Sequence, residues 1–114
     1  MPFINSKTTV SVSEQQREQL KTQLGEVISL IPGKSERWLM LDLQDQHQMY
    51  FQGKSFERIA FVEVKIFGTA SDDVYNALTA KICQIYQTVL QIPSDKVYVA
   101  YQEIEHWGWN GSNF

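Results

Sequence analysis

Pro2 is the residue whose position gives it the most distinctive chemistry. A small second residue permits removal of the initiator Met1, and removal would leave Pro2 with a free secondary amine. An α-amino group ordinarily titrates at about 7.7 to 8. Burial and a neighbouring cation both disfavour its charged form and lower that value. A neutral secondary amine at neutral pH is a competent general base. Proline at position two is common, however, so the motif is weak by itself. Other chemistry is sparse. There is no Gly-rich phosphate loop and no Gly-x-Ser-x-Gly elbow. His47 and His106 are far apart, lack metal-ligand spacing and read as loop or surface residues. Glu63 lies between apolar neighbours in a strand and is expected to face solvent or a neighbouring subunit. The single cysteine, Cys83, cannot form an internal disulfide or a thiolate metal site, and its apolar helical setting reads as a buried inert thiol. No metal and no cofactor is expected.

The rest of the chain must position these groups. Its 114 residues fit one domain, taken as 1–114, with enough surface to bury for a core without staples. Hydrophobic residues make up 43% and charged residues 20%, which excludes intrinsic disorder. A net charge of −3 argues against a phosphate-backbone binder, so no nucleic-acid partner is expected. No run approaches 18 apolar residues, so no membrane span is expected. Nor does the N-terminus read as a signal peptide, which makes the cytoplasm the expected location.

FINSKTTV from Phe3 to Val10 reads as a strand, with Ile4, Ser6, Thr8 and Val10 on one face. Ser13 and Gln16 have capping-box spacing and start a helix near 13. Leu20, Leu24, Val27, Ile28 and Ile31 form its apolar stripe, and Pro32-Gly33 stops it. WLMLDL (38–43) is a second strand, 45–54 a polar loop, and RIAFVEVKIF (58–67) a third strand, partly apolar on both faces. Ser71, Asp72 and Asp73 cap a second helix whose stripe runs Val74, Leu78, Ile82, Ile85 and Val89, with Pro93 beyond it. VYVAYQEI (97–104) is the fourth strand, and Asn110-Gly111 is a tight turn. The fold class is therefore α/β, a repeated β-α-β unit forming a four-stranded sheet with two helices on one face. The other sheet face would lie bare, which implies oligomerisation.

Four separated segments, MPFI, the PGK turn ending in Lys34, SDKVYVAY with Tyr98, and the tail WGWNGSNF, together resemble the macrophage migration inhibitory factor family of N-terminal-proline tautomerases. The resemblance runs the whole length. It implies a homotrimer with active sites at subunit interfaces, and a phenylpyruvate tautomerase-type or dopachrome isomerase-like activity on a small aromatic α-keto acid. It implies that Pro2 is the base and that Lys34 binds the substrate carboxylate and depresses the proline pKa. Ile66 matches the position whose backbone N–H also holds the carboxylate, with Lys65 or Phe67 the match if the register slips by one. Tyr98 matches a tyrosine donated by the neighbouring subunit. Phe3, Trp38, Trp107, Trp109 and Phe114 fall where the family lines its aromatic pocket.

The sequence departs from the family in three ways. The CxxC thiol motif is replaced by Arg58-Ile59-Ala60-Phe61, which excludes thiol–disulfide chemistry there. An Asn two residues after the tyrosine is replaced by Ala100, which should relax recognition of a ring hydroxyl. The segment before Trp107 is shorter, and Trp107 replaces a smaller residue and should narrow the mouth. A second function implied by the resemblance is a cytokine-like interaction protein, secreted without a signal peptide, that engages a host or self receptor with the tautomerase activity vestigial.

Overall fold

The computed structural model describes residues 1–55 and 57–114. Strand β1 (Pro2–Thr8) leads to helix α1 (Glu14–Val27), a 3-10 turn at Ile28–Leu30, and a second such turn at Glu36–Trp38. Strand β2 (Met40–Gln44) follows, then a small hairpin of β3 (Tyr50–Phe51) and β4 (Lys54–Ser55). Strand β5 (Ala60–Phe67), helix α2 (Asp72–Leu90) and strand β6 (Val97–Ile104) complete the second β-α-β unit. A terminal hairpin of β7 (Gly108–Trp109) and β8 (Ser112–Asn113) ends the chain.

The main sheet has the order β2-β1-β5-β6. β1 runs parallel to β2 and antiparallel to β5, and β5 runs parallel to β6, so the two units meet at the sheet centre. Alternation decides which face is covered. In β1 and β5 every second residue is buried and those between are half-exposed. Ile4, Val62, Val64 and Ile66 point inward and share one core with Leu20 and Leu24 of α1 and Leu78, Ile82 and Tyr86 of α2. Both helices therefore lie on the same sheet face.

Local signals account for the helix ends. Ser13 Oγ accepts the Gln16 N–H while Gln16 Oε1 accepts the Ser13 N–H, a complete capping box. Ser71 Oγ accepts the Val74 N–H, and Asp72 and Asp73 occupy the first turn of α2. That helix ends because Gln91 turns left-handed at φ 55°. The terminal hairpin turns on Asn110 (φ 52°) and Gly111 (φ 89°), as its sequence predicts.

Three expectations need correction. The stripe to Ile31 is not one helix, because α1 tightens into the 3-10 turn before Pro32. Trp38 belongs to a turn, and β2 starts at Met40. The 45–54 stretch is not wholly loop, since Gln52 adopts φ 56° and closes the β3–β4 hairpin. β5 is apolar along its whole inner face and, as expected, in part on its outer one. Its outer face sets Phe61 and Phe67 apart with Glu63 and Lys65, so the open side of the sheet is half polar.

Tyr86 is the largest fully buried side chain, and its hydroxyl donates to Ser6 Oγ at 2.6 Å, tying α2 to β1. Burial pushes this phenol up to about 12. Tyr86→Phe removes the donor and leaves the Ser6 hydroxyl buried without it. Urea unfolding is expected to show a loss of about 1–2 kcal/mol with an unchanged m-value.

Candidate active site

The site forms where the sheet's central strand begins. Pro2 is buried and stands opposite Ile66 in the antiparallel β1–β5 register. Just before it, the Met1 carbonyl accepts the Phe67 N–H at 3.0 Å. Lys34 arrives from the other side. The Pro32-Gly33 turn uses a left-handed Gly33 (φ 80°), and the Lys34 N–H closes it on the Ile31 carbonyl at 3.0 Å. The Lys34 side chain does not cap a helix end. Its Nζ donates to the Phe67 carbonyl at 2.7 Å.

The electrostatics follow from this geometry. Partial burial first, then the Lys34 charge and its hydrogen bond, together lower the Met1 amine to about 6. An amine at this end of β1 is thus held largely neutral at neutral pH.

An open cavity of about 600 Å³ adjoins Pro2. Of the pocket residues expected from the sequence, Phe3, Trp38, Trp107 and Trp109 line it together with Pro2. Trp38 meets Trp109 edge-on with centroids 5.1 Å apart. Phe114 does not line the cavity but backs it, stacked on Trp109 at 6.5 Å and packed on Phe67 at 5.6 Å. The terminal hairpin thereby fastens to the 36–38 turn and to the end of β5.

Neither Tyr98 nor Ile66 is among the residues that line this cavity. Tyr98 stands opposite Phe61, five register positions from Ile66 and so roughly 16 Å along the strands. It is 58% exposed and packs against Phe51 (5.0 Å) and Phe61 (6.2 Å) beside a cavity of about 80 Å³. The Ile66 side chain is in the core. The Phe67 N–H points to Met1 at the start of β1, and the Gly68 N–H donates to the Ile104 carbonyl at the end of β6. Backbone donors alternate between flanking strands, so the Ile66 N–H faces β6 and the Phe67 N–H faces Met1.

Sequence reasoning missed Arg37, Met40 and Lys65, which also line the cavity. Lys65 reaches the cavity through its register opposite Phe3 and Arg37 through the Glu36–Trp38 turn, and the sequence marks neither beyond its charge. Among the described residues no three His, Cys, Asp or Glu side chains are grouped to hold a metal ion. Cys83 is half-buried, and burial raises its thiol pKa. No described helix is long and apolar enough to cross a membrane.

A profile of the family described as "Macrophage migration inhibitory factor (MIF)" matches residues 1–114. A curated macrophage migration inhibitory factor from Xenopus laevis is 25% identical over 116 residues, covering 100% of this chain and 99% of the relative. The crystal structure of Leishmania major MIF2 superposes with a TM-score of 0.92 at 31% identity, over 100% of this chain and 97% of that one. That of a macrophage migration inhibitory factor homologue from Prochlorococcus marinus gives 0.83 at 29% identity, over 98% of each chain.

Proposed function

Because the chain belongs to the macrophage migration inhibitory factor family, we propose that it is a keto–enol tautomerase of the phenylpyruvate type, with the free amine of Pro2 as general acid and base. The observation that carries this reading is the position of the Lys34 ammonium on the Phe67 carbonyl and beside the chain's terminal amine, with the Phe67 N–H on the Met1 carbonyl just before Pro2, which itself lines the aromatic cavity. While Met1 is present, its carbonyl occupies the Phe67 N–H and Pro2 is an amide. Removing Met1 turns Pro2 into an amine and frees the Phe67 N–H for an anionic oxygen. Lys34 then pairs with the substrate carboxylate, and Phe67 rather than Ile66 supplies the backbone donor.

In the enolising direction the Pro2 amine takes a proton from the carbon between the ring and the ketone. The C–H electron pair forms the carbon–carbon double bond, and the keto oxygen takes up a proton. Ketonisation reverses these transfers. Trp38 and Trp109 offer apolar faces to the phenyl ring. We read Tyr98 as a residue that serves a neighbouring copy's site in a homotrimer. Its exposure, and its distance from Pro2 in its own chain, support that reading. Light scattering at three times 13.2 kDa is expected, and a monomer mass overturns it.

The test of the activity is ketonisation of phenylpyruvate enol, followed by ultraviolet absorbance, with protein shown by intact mass to begin at Pro2. Turnover above the buffer rate is expected. A rate equal to buffer overturns the reading.

A further inference from the structure

The charge lining the cavity is one-sided. The chain carries 13 acidic against 10 basic side chains, yet no aspartate or glutamate lines this cavity, whereas Arg37 and Lys65 both do. Neither cation takes part in any of the ion pairs among the described residues, which join Arg17 to Asp45, Lys21 to Glu18 and Lys96 to Asp95. Their partners are aromatic faces instead. The Arg37 guanidinium carbon lies 5.2 Å from the Trp38 ring centroid, and Lys65 Nζ lies 6.0 Å from that of Phe3. A π face orients a cation without cancelling its charge.

Both residues are held by well-built elements. Arg37 stands in the Glu36–Trp38 turn, where the Trp38 N–H donates to Ser35 at 3.2 Å and the Leu39 N–H to Glu36 at 3.1 Å. Lys65 pairs with Phe3 in the register next to the Pro2–Ile66 pair. In the tautomerase reading Lys34, whose Nζ lies on the Phe67 carbonyl, takes the carboxylate next to the keto group. That leaves two uncompensated cations on the wall. A cavity of about 600 Å³ accommodates ligands well beyond a phenyl ring.

We propose that the substrate is an α-keto acid with a second carboxylate at its far end, received by Arg37 with Lys65 adding long-range attraction. The planar guanidinium fork suits a carboxylate bidentately. This inference rests on the tautomerase reading for its keto-acid half. Its dianion half stands on the cavity charge alone.

The experiment compares phenylpyruvate with 4-carboxyphenylpyruvate in wild type, Arg37→Gln and Arg37→Lys, all beginning at Pro2. In wild type at low salt, kcat/KM is expected to favour the dianion by about tenfold, the factor set by about 1.4 kcal/mol. The preference should shrink at about 0.5 M salt, where screening is strong. Arg37→Gln should raise KM for the dianion, with a loss in kcat/KM at least about five times that for the monoanion, and Arg37→Lys should restore part of it. Equal kcat/KM for the two keto acids in wild type overturns the proposal, as does an equal loss on both in Arg37→Gln. The latter would mean that Arg37 serves the carboxylate common to both.

A binding arm separates this failure from failure of the tautomerase reading. Quenching of tryptophan fluorescence by 4-carboxycinnamate and by cinnamate needs no turnover, and Trp38 and Trp109 are both exposed in the site. If neither keto acid turns over, the tautomerase reading falls. Tighter binding of 4-carboxycinnamate by about tenfold then upholds the dianion site. Equal binding, or none, overturns it.

Discussion

Protein that retains Met1 is expected to ketonise phenylpyruvate about a thousandfold more slowly than protein that begins at Pro2, within the range general acid–base catalysis commands. Two independent consequences of the extra residue add here. The Pro2 nitrogen becomes an amide, whose lone pair is delocalised and no longer basic. The Met1 carbonyl also sits on the Phe67 N–H at 3.0 Å, and Met1 itself lines the cavity. The unprocessed chain therefore lacks the base and covers the backbone donor with its own oxygen. Intact mass of each sample alongside its rate checks this. A retained-Met form as fast as the processed one would remove Pro2 from the chemistry.

Lys34→Ala is expected to lower kcat/KM by about a hundredfold, with most of the loss in KM, the size of effect that follows when a charged hydrogen-bond partner of a carboxylate is lost. The same change should move the acid limb of the pH profile. Lys34 lowers the terminal amine through its charge and its hydrogen bond, second only to burial. Without that cation the protonated amine is less disfavoured, so its pKa rises toward the ordinary value near 8. The variant should therefore lose activity at neutral pH that it regains in part at higher pH. An unchanged acid limb would show that Lys34 binds substrate without tuning the base.

Much of this was legible in the residues. Ser13 with Gln16, Ser71 before two aspartates, and Asn110-Gly111 are local signals whose chemistry is complete within four residues, and each forms as expected. The inner faces of β1 and β5 follow from alternation. The misses are of another kind. Trp38 closes a turn instead of beginning a strand, and its surroundings there include long-range contacts that the sequence does not display, Lys34 on Phe67 nearby in the chain and Trp109 edge-on against Trp38. The β3–β4 hairpin turns on a left-handed Gln52, a residue with no particular preference for that conformation.

The site divides in the same way. Pro2 is marked by its position, whereas Lys34 and the aromatic residues are named through the resemblance of their segments to the family. Which backbone N–H serves the site could not be read from sequence, because a one-residue slip in β5 exchanges the two flanking strands as partners. The pairing of Pro2 with Ile66, with the Phe67 N–H on Met1, is the observation that favours Phe67. Arg37 and Lys65 carried no signal beyond their charge, and they become a pair only when the 36–38 turn and β5 close on one cavity.

The most direct measurement is the titration of the Pro2 amine itself, by nitrogen NMR, in protein that begins at Pro2, beside the pH profile of kcat/KM. The Met1 amine at the same end of β1 is held at about 6 by burial and Lys34. The Pro2 amine is expected to titrate well below 8 for the same two reasons, and kcat/KM should fall tenfold per pH unit below that same pKa. An amine that titrates at or above 8, or an acid limb at a different pKa, would contradict Pro2 as the base.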